Sequence, residues 1–286
     1  MTGNPAIIRN VEALRRHTAD WRKAGLAYAV VPTMGAIHEG HQELVRQGRQ
    51  HASRVIATVF VNPKQFAAHE DLAKYPRDEP GDVAKLGAAG ADVVFMPAPE
   101  EVYPQGFSTT VSLTGPAKAG LEDRFRPHFF AGVATVVAKL FLQTGADVAM
   151  FGEKDYQQLM VVTRMVRDLD IPIRVIGVPT VREADGLAKS SRNVYLSAAE
   201  RRQALAIYAS LSRAADAIRA GQTPQGAARA AARSLTASGF KVDYVAARNA
   251  GTLAPPRGKD EPLRLLAAAW AGKTRLIDNI AVQSSR

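Results

Sequence analysis

The stretch Pro32-Thr33-Met34-Gly35-Ala36-Ile37-His38-Glu39-Gly40-His41 places two histidines three residues apart, with glycines beside them. A β-branched run precedes it and a helix-like run follows, so it lies where an α/β chain turns from strand into helix. A helix start offers unpaired backbone N–H groups and the positive end of the helix dipole. Glycines at 35 and 40 let a triphosphate come close to that backbone. His38 and His41 share a helical face, and both imidazoles can donate to the same phosphate oxygens. Two other readings of the pair stay open. A zinc ion would accept both histidines but needs a further ligand, and two histidines can simply cap a surface turn.

Three more groups carry chemistry. Asn62 and Gln65 end a second strand-like run. Uncharged amides can hold a hydroxy acid by its hydroxyls and carboxylate without an ion pair that would blunt the carboxylate as a nucleophile; a lone glutamine at a strand end is otherwise a solvated side chain. In Gly152-Glu153-Lys154-Asp155, a glycine permits close approach, a lysine supplies charge for phosphate and an aspartate can accept from ribose hydroxyls. The same run also reads as a solvated helix start. Lys189-Ser190-Ser191-Arg192 offers two hydroxyls and two permanent cations, a grouping able to follow charge onto a leaving phosphate group.

These segments need elements to hold them. Ala27 to Pro32, Arg54 to Asn62, Asp92 to Pro97, Asp147 to Phe151 and Ile173 to Val178 read as buried strands. Gly40 to Ala52 and Asp155 to Leu169 show helical apolar spacing, and Gly132 to Leu142 is apolar enough for an internal crossover helix. Alternation of this kind predicts a Rossmann-like, doubly wound parallel sheet that binds ligands beyond the carboxyl ends of its strands. After about residue 180 the texture changes. A capping box, Ser197 with Glu200, opens an alanine-rich helix; a second helix from about Thr223 to Ser238 leads into strands at Val242 to Ala247, Leu263 to Ala268 and Arg275 to Val282. Two domains are expected, residues 1–180 and a smaller α+β lid at 181–286, with a hinge near Thr180.

Composition narrows the classes. With 286 residues, 47% hydrophobic and 22% charged, the chain is globular and can bury a core. It contains no cysteine, which excludes disulfides, thiolate metal sites and a cysteine nucleophile and suits a reducing compartment. No apolar window reaches the ~18 residues of a membrane span, and no apolar run follows the first basic residue. A soluble cytoplasmic protein is expected, without a membrane partner. The formal charge of +10 could mean a polyanionic partner, but the basic residues are scattered and not interleaved with aromatics, so no nucleic-acid partner is expected.

His38-x-Gly40-His41 after a strand resembles the nucleotidylyl-transferase signature shared with class I aminoacyl-tRNA synthetases. The fuller string from Pro32 to His41 is similar to that of the pantothenate synthetases, the pantoate–β-alanine ligases. Further segments agree in order: Phe60 to Phe66, Gly132 to Val137, Phe151 to Leu159, Val178 to Glu183 running into Ser190 to Asn193, and Asp278 to Ala281. The resemblance implies an ATP-dependent acid–amino acid ligase that forms pantoyl adenylate and joins it to β-alanine. It implies Met34, Gly35, His38, Gly40, His41, Gly152, Lys154, Asp155, Val181, Lys189, Ser190, Ser191 and Arg192 as the ATP site. Of these, His41, His38, Lys154, Ser190, Ser191 and Arg192 would carry the chemistry. Gln65 and Gln158, with Asn62, would hold pantoate and β-alanine. Magnesium would come with the triphosphate and find an outer ligand in Asp82, and a homodimer through the first domain is implied.

Two positions depart from the family pattern. Lys189 stands where relatives commonly carry an apolar residue, and could grip triphosphate or point to solvent. In Arg126-Pro127-His128-Phe129 the imidazole comes one residue before its usual place, which suggests a shift of loop register that lets His128 serve the substrate pocket. Two rivals remain: another nucleotidylyltransferase or acyl-adenylating enzyme of this fold, and a basic nucleic-acid-binding protein with a dead nucleotide site.

Overall fold

The computed structural model describes residues 4–66, 75–258 and 261–282. Along the first part run β1 (Ala6–Ile8), α1 (Val11–Lys23), β2 (Tyr28–Thr33), α2 (Glu39–His51), β3 (Arg54–Val59), α3 (Glu79–Ala89), β4 (Val93–Phe95), α4 (Pro99–Val102), α5 (Glu122–Phe125), α6 (Phe129–Thr144), β5 (Val148–Gly152), α7 (Tyr156–Asp168) and β6 (Arg174–Val178). The strands form a six-stranded sheet in the order β1-β4-β3-β2-β5-β6, parallel at every pairing.

Strand residues alternate between two cores, as the period of two demands. Tyr28 and Val30 point with Phe95 and Phe151 toward α1, α6 and α7, where Leu14, Phe141 and Met165 meet them. Ala29 and Val31 face Leu44 and Val45 of α2 and Leu86 of α3 on the other side. Burial on both faces explains why these strands read as continuous apolar runs.

The strand expected over Arg54 to Asn62 ends at Val59, because Asn62 caps a single 3₁₀ turn at Pro63–Gln65 and Pro63 has no N–H for a ladder. The crossover helix is longer than Gly132 to Leu142, running from Phe129 to Thr144 up to a left-handed Gly145. Besides the short helices α4 and α5, three elements not expected from the sequence complete this part. The edge strand β1 is only three residues long; α1 is capped by Asn10; α3 carries proline and glycine in its first turn.

In the second part, α8 (Ala198–Arg219) and α9 (Pro224–Ala237) pack on an antiparallel sheet of β7 (Lys241–Asn249), β8 (Leu263–Ala271) and β9 (Thr274–Val282). Its core is built from Leu211, Leu235, Leu265 and a run of alanines. Ser197 and Glu200 form the capping box at the start of α8. No helix among the described residues is long and apolar enough to cross a membrane.

Candidate active site

The chain leaves β2 outward to β3 and β4, then returns across the sheet through α6 to β5 on the other side of β2. Adjacent parallel strands whose connections run opposite ways open a crevice at their carboxyl ends. The segments after β2 and β5 are the histidine motif and Gly152-Glu153-Lys154-Asp155.

The turn from β2 into α2 is held by a buried carboxylate. Gly35 has φ 86 and Ala36 φ 51, both in the left-handed region. Asp82, 2% exposed in the first turn of α3, accepts from the N–H of Ala36 at 2.9 Å and of Ile37 at 2.7 Å. Burial pushes its carboxyl up, against the pull of these two N–H bonds. Each oxygen of Asp82 thus holds one N–H of the loop, and anchoring this turn is the role the structure gives the carboxylate.

His38 is the N-cap of α2 and accepts from Gly40 N–H through Nδ1 at 3.1 Å. His41 Nδ1 accepts from His38 N–H at 3.4 Å, and the two rings lie 4.1 Å apart. An Nδ1 that accepts from the backbone carries no proton, so each ring keeps its proton on Nε2 and remains a donor there. Burial, with Lys154 nearby, lowers His38 to about 4; burial, then His38 and Lys154, lowers His41 to about 3. Both imidazoles are neutral at physiological pH. The zinc reading fails on the same facts: each Nδ1 is taken, and no cluster of three metal-ligating side chains exists among the described residues.

Across the crevice, a Cβ on Gly152 would meet nothing within 4 Å, so the backbone there is open to a ligand. Lys154 and Asp155 line a cleft of about 820 Å³ with Met34, Gln65, Gln158 and Arg192. Gln158 has no partner among the described residues, whereas its neighbour Gln157 is buried and fully used on Glu122, Pro116 and Asp123.

Asn62 is completely buried. Its Nδ2 donates to Gln65 Oε1 at 3.0 Å and to the Gly132 carbonyl at 3.1 Å, while Oδ1 accepts from Tyr103 and Lys64. It orients Gln65 and has no capacity left for a substrate, a correction to its expected place in the pocket. The reach from α6 is close: a Cβ on Gly132 would stand 2.3 Å from the Lys64 carbonyl oxygen and 2.9 Å from Gln65 N. Gly132→Ala should push the Pro63–Gln65 turn off α6, costing about 1–3 kcal/mol of stability as overpacking does. It should raise the KM for the acid more than that for the nucleotide, and a melting curve with two KM values checks both.

His128 does not take the missing position. It is exposed at the N-cap of α6 without a side-chain cap bond, and the next residue turns inward. Phe129 lines the cleft with Phe130, and the Arg126 guanidinium stacks on Phe129 at 3.8 Å while donating to the Gln65 carbonyl at 3.2 Å. Phe129 thus gives this wall a phenyl ring where the family pattern leads one to expect an imidazole.

The loop after β6 is anchored by a bridge between Arg182 and Ala188 and by Asp278 of β9, which holds Arg182 through both oxygens at 2.7 and 2.9 Å. Val181, half-buried, accepts from Lys189 N–H through its carbonyl at 2.9 Å. Ser190 caps a 3₁₀ turn at Ser191–Tyr195 by accepting from Arg192 N–H. Ser190 and Arg192 line the cleft, and the Arg192 guanidinium has no partner among the described residues; Ser191 and Lys189 are not on its wall. Lys189 instead contacts Glu39 and Glu183.

Sequence reasoning missed the residues that bind the two halves together. Asn279 donates from Nδ2 to the carbonyls of Glu153 and Lys154 at 2.9 and 2.8 Å, and its Oδ1 accepts from Arg264. Arg264 also pairs with Glu153 and covers the Tyr156 ring at 4.0 Å. The available signal was a polar pair, Asp278-Asn279, in an otherwise alternating apolar strand.

A parallel sheet with a neutral histidine pair at a helix start, facing a glycine-lysine turn at the switch point, is the arrangement of a nucleotide-binding α/β enzyme. Residues 6–281 match the family model for pantoate-beta-alanine ligase. The chain is 56% identical to a pantothenate synthetase of Caulobacter vibrioides, over 98% of this chain and 99% of that one. It is 53% identical to one of Rhodopseudomonas palustris, over 97% and 99%. The crystal structure of a Thermus thermophilus pantothenate synthetase superposes with a TM-score of 0.89 at 45% identity, covering 97% of this chain and 99% of that one. A Francisella tularensis pantoate-beta-alanine ligase, complexed with beta-gamma ATP and beta-alanine, gives 0.82 at 30% identity, covering 98% and 99%. The chain belongs to the pantoate–β-alanine ligase family.

Proposed function

We propose that this chain performs the reaction for which its family is named, joining pantoate to β-alanine with ATP through a pantoyl-adenylate. The carboxylate oxygen of pantoate attacks the α-phosphorus of ATP and pyrophosphate leaves. The β-alanine amine then attacks the acyl carbon, loses a proton, and AMP departs. One observation carries the reading: Lys154, an unpartnered Arg192, free glutamine chemistry at Gln158 and an oriented Gln65 line one cleft, and the neutral imidazoles of His38 and His41, though not on its wall, lie within the field of Lys154. Positioning and stabilisation of spread negative charge dominate such a step.

In this reading His41 and His38 donate through Nε2–H to the phosphates and Lys154 neutralises them. Ser190, Ser191 and Arg192 follow charge onto the pyrophosphate. Gly152 and Asp155 receive the ribose, and Met34, Gly35, Gly40 and Val181 shape the nucleotide site. Gln65 and Gln158 hold pantoate, whose two methyl groups find an apolar wall in Phe129 and Phe130. Asn62 serves as the support of Gln65 and Asp82 as the anchor of the phosphate loop. The described residues hold no cage for magnesium, so the ion would be carried by triphosphate oxygens and water, in keeping with its hydration habit. A cytoplasmic location, where a cysteine-free chain meets its ATP, and a homodimer complete the proposal; sedimentation checks the latter.

Omitting each of ATP, pantoate and β-alanine in turn from an assay of AMP formation tests the reaction. AMP should require all three, and ATP–pyrophosphate exchange should require pantoate but not β-alanine. Exchange driven by an amino acid and not by pantoate would sink the assignment.

A further inference from the structure

Lys189 and Arg192 belong to one four-residue loop, yet their charges are used differently. Arg192 faces the cleft without a partner among the described residues. Lys189 has its ammonium between two carboxylates, in contact with Glu39 and 3.1 Å from Glu183, with its side chain 18% exposed. Glu39 is the first residue of α2, between His38 and Gly40, and its side chain is 59% exposed. A lone carboxylate at that helix start would stand beside the imidazoles that are to receive a polyanion, and would repel it.

The ammonium is delivered from a fixed stem. The Lys189 N–H is bonded to the Val181 carbonyl at 2.9 Å, and the adjoining Arg182–Ala188 bridge is tied to Asp278 on β9. Because its acidic partner Glu39 is mostly in solvent, the pair contributes little to folding, and its consequence is electrostatic. It cancels a negative charge at the mouth of the cradle and pins the loop bearing Ser190 and Arg192 beside α2.

We infer that Lys189 is a positioning residue that neutralises Glu39 at the phosphate cradle, leaving Arg192 as the loop cation that meets the triphosphate. This rests on the adenylate-forming reading proposed above. The route is visible in a set of four variants assayed for pantoate-dependent ATP–pyrophosphate exchange. Lys189→Met should raise the KM for ATP by about fivefold, the size of one unit charge acting at partly screened range. The KM for pantoate and the melting temperature should not move, and Lys189→Arg should behave like the parent. The difference should shrink as salt is added.

The double variant decides between neutralisation and direct grip. With Glu39→Gln in the same chain, the carboxylate beside the histidines is gone and only Glu183, on the loop's own side, still faces Lys189, so the KM for ATP should return to within about twofold of that of Glu39→Gln alone. A fivefold loss that persists in the double variant would mean that Lys189 itself holds triphosphate and would overturn the inference. An unchanged KM for ATP in Lys189→Met would overturn it as well. A parent enzyme without pantoate-dependent exchange would instead sink the reading of the reaction, a result distinct from either.

Discussion

His41→Ala should slow pantoate adenylation by about 100- to 1000-fold, the usual cost of removing one preorganised donor from developing negative charge. The magnitude follows from how the ring is held. Its Nδ1 accepts from the His38 N–H, so the tautomer with Nε2–H is fixed before the substrate arrives, and no proton has to be placed during the reaction. Because the imidazole acts as a neutral donor, His41→Gln should recover part of the rate, whereas a cationic role would leave glutamine as poor as alanine. The pH dependence separates the two roles further. Folded-state values of about 4 for His38 and about 3 for His41 lie below the ordinary 6.5. After correction for the ionisation of ATP, kcat/KM for ATP should show no limb from these rings between about pH 5 and 8. A limb near 6.5 that vanishes in His41→Gln would overturn the neutral-donor role. Stability carries the opposite trace of the same shift. The unfolded chain takes up these protons first, so the rings' contribution is complete above about 6.5 and is lost as pH falls toward the folded values.

Much of this arrangement is legible in the sequence because it is local. The strands declare themselves by continuous apolar residues, since both faces are buried, and the proposed phosphate cradle is contiguous from Pro32 to His41. What could not be read depends on separation. Asn279 acts on the carbonyls of Glu153 and Lys154, more than 120 residues away, and no spacing rule links them. Asp82 looks like a free carboxylate in a string, and only its burial beneath Ala36 and Ile37 turns it into a loop anchor. Asn62 shows the same ambiguity, because an amide at a strand end is read alike whether it faces a substrate or its own helix turn. His128 was misjudged for a geometric reason. A helix N-cap and the residue after it point in different directions, so moving an imidazole by one position takes it out of the pocket rather than sliding it along the wall.

Arg275→Met should cost about 3–5 kcal/mol, the penalty for stripping one partner from a buried charge network. Arg275 on β9 grips Glu122 of α5 through both oxygens at 2.7 and 2.9 Å, and its Nε donates to Asp243 at 2.7 Å. Tyr244 adds a bond to Glu122 at 2.8 Å, and the indole N–H of Trp270 reaches Asp243. Burial and the Glu122 charge hold the Tyr244 hydroxyl well above its usual range, so it donates as a neutral group. Exposure of the Arg275, Glu122 and Asp243 side chains is only 15%, 9% and 8%, so the variant leaves two carboxylates buried without a cation. Replacing all three groups together, Arg275→Met with Glu122→Gln and Asp243→Asn, should restore part of the loss, because nothing charged is then left unpaired. Urea unfolding followed by far-UV circular dichroism measures both, and a loss under about 1 kcal/mol in the single variant would show that the network is not stabilising in this sense. The position of the network adds a second consequence. Glu122 stands on the sheet side of the molecule and Arg275 under the other core, so the variant should also split one unfolding transition into two, with the antiparallel sheet melting first. That sheet carries Asn279 to the Lys154 carbonyl, which ties the stability of the small core to the geometry of the nucleotide turn.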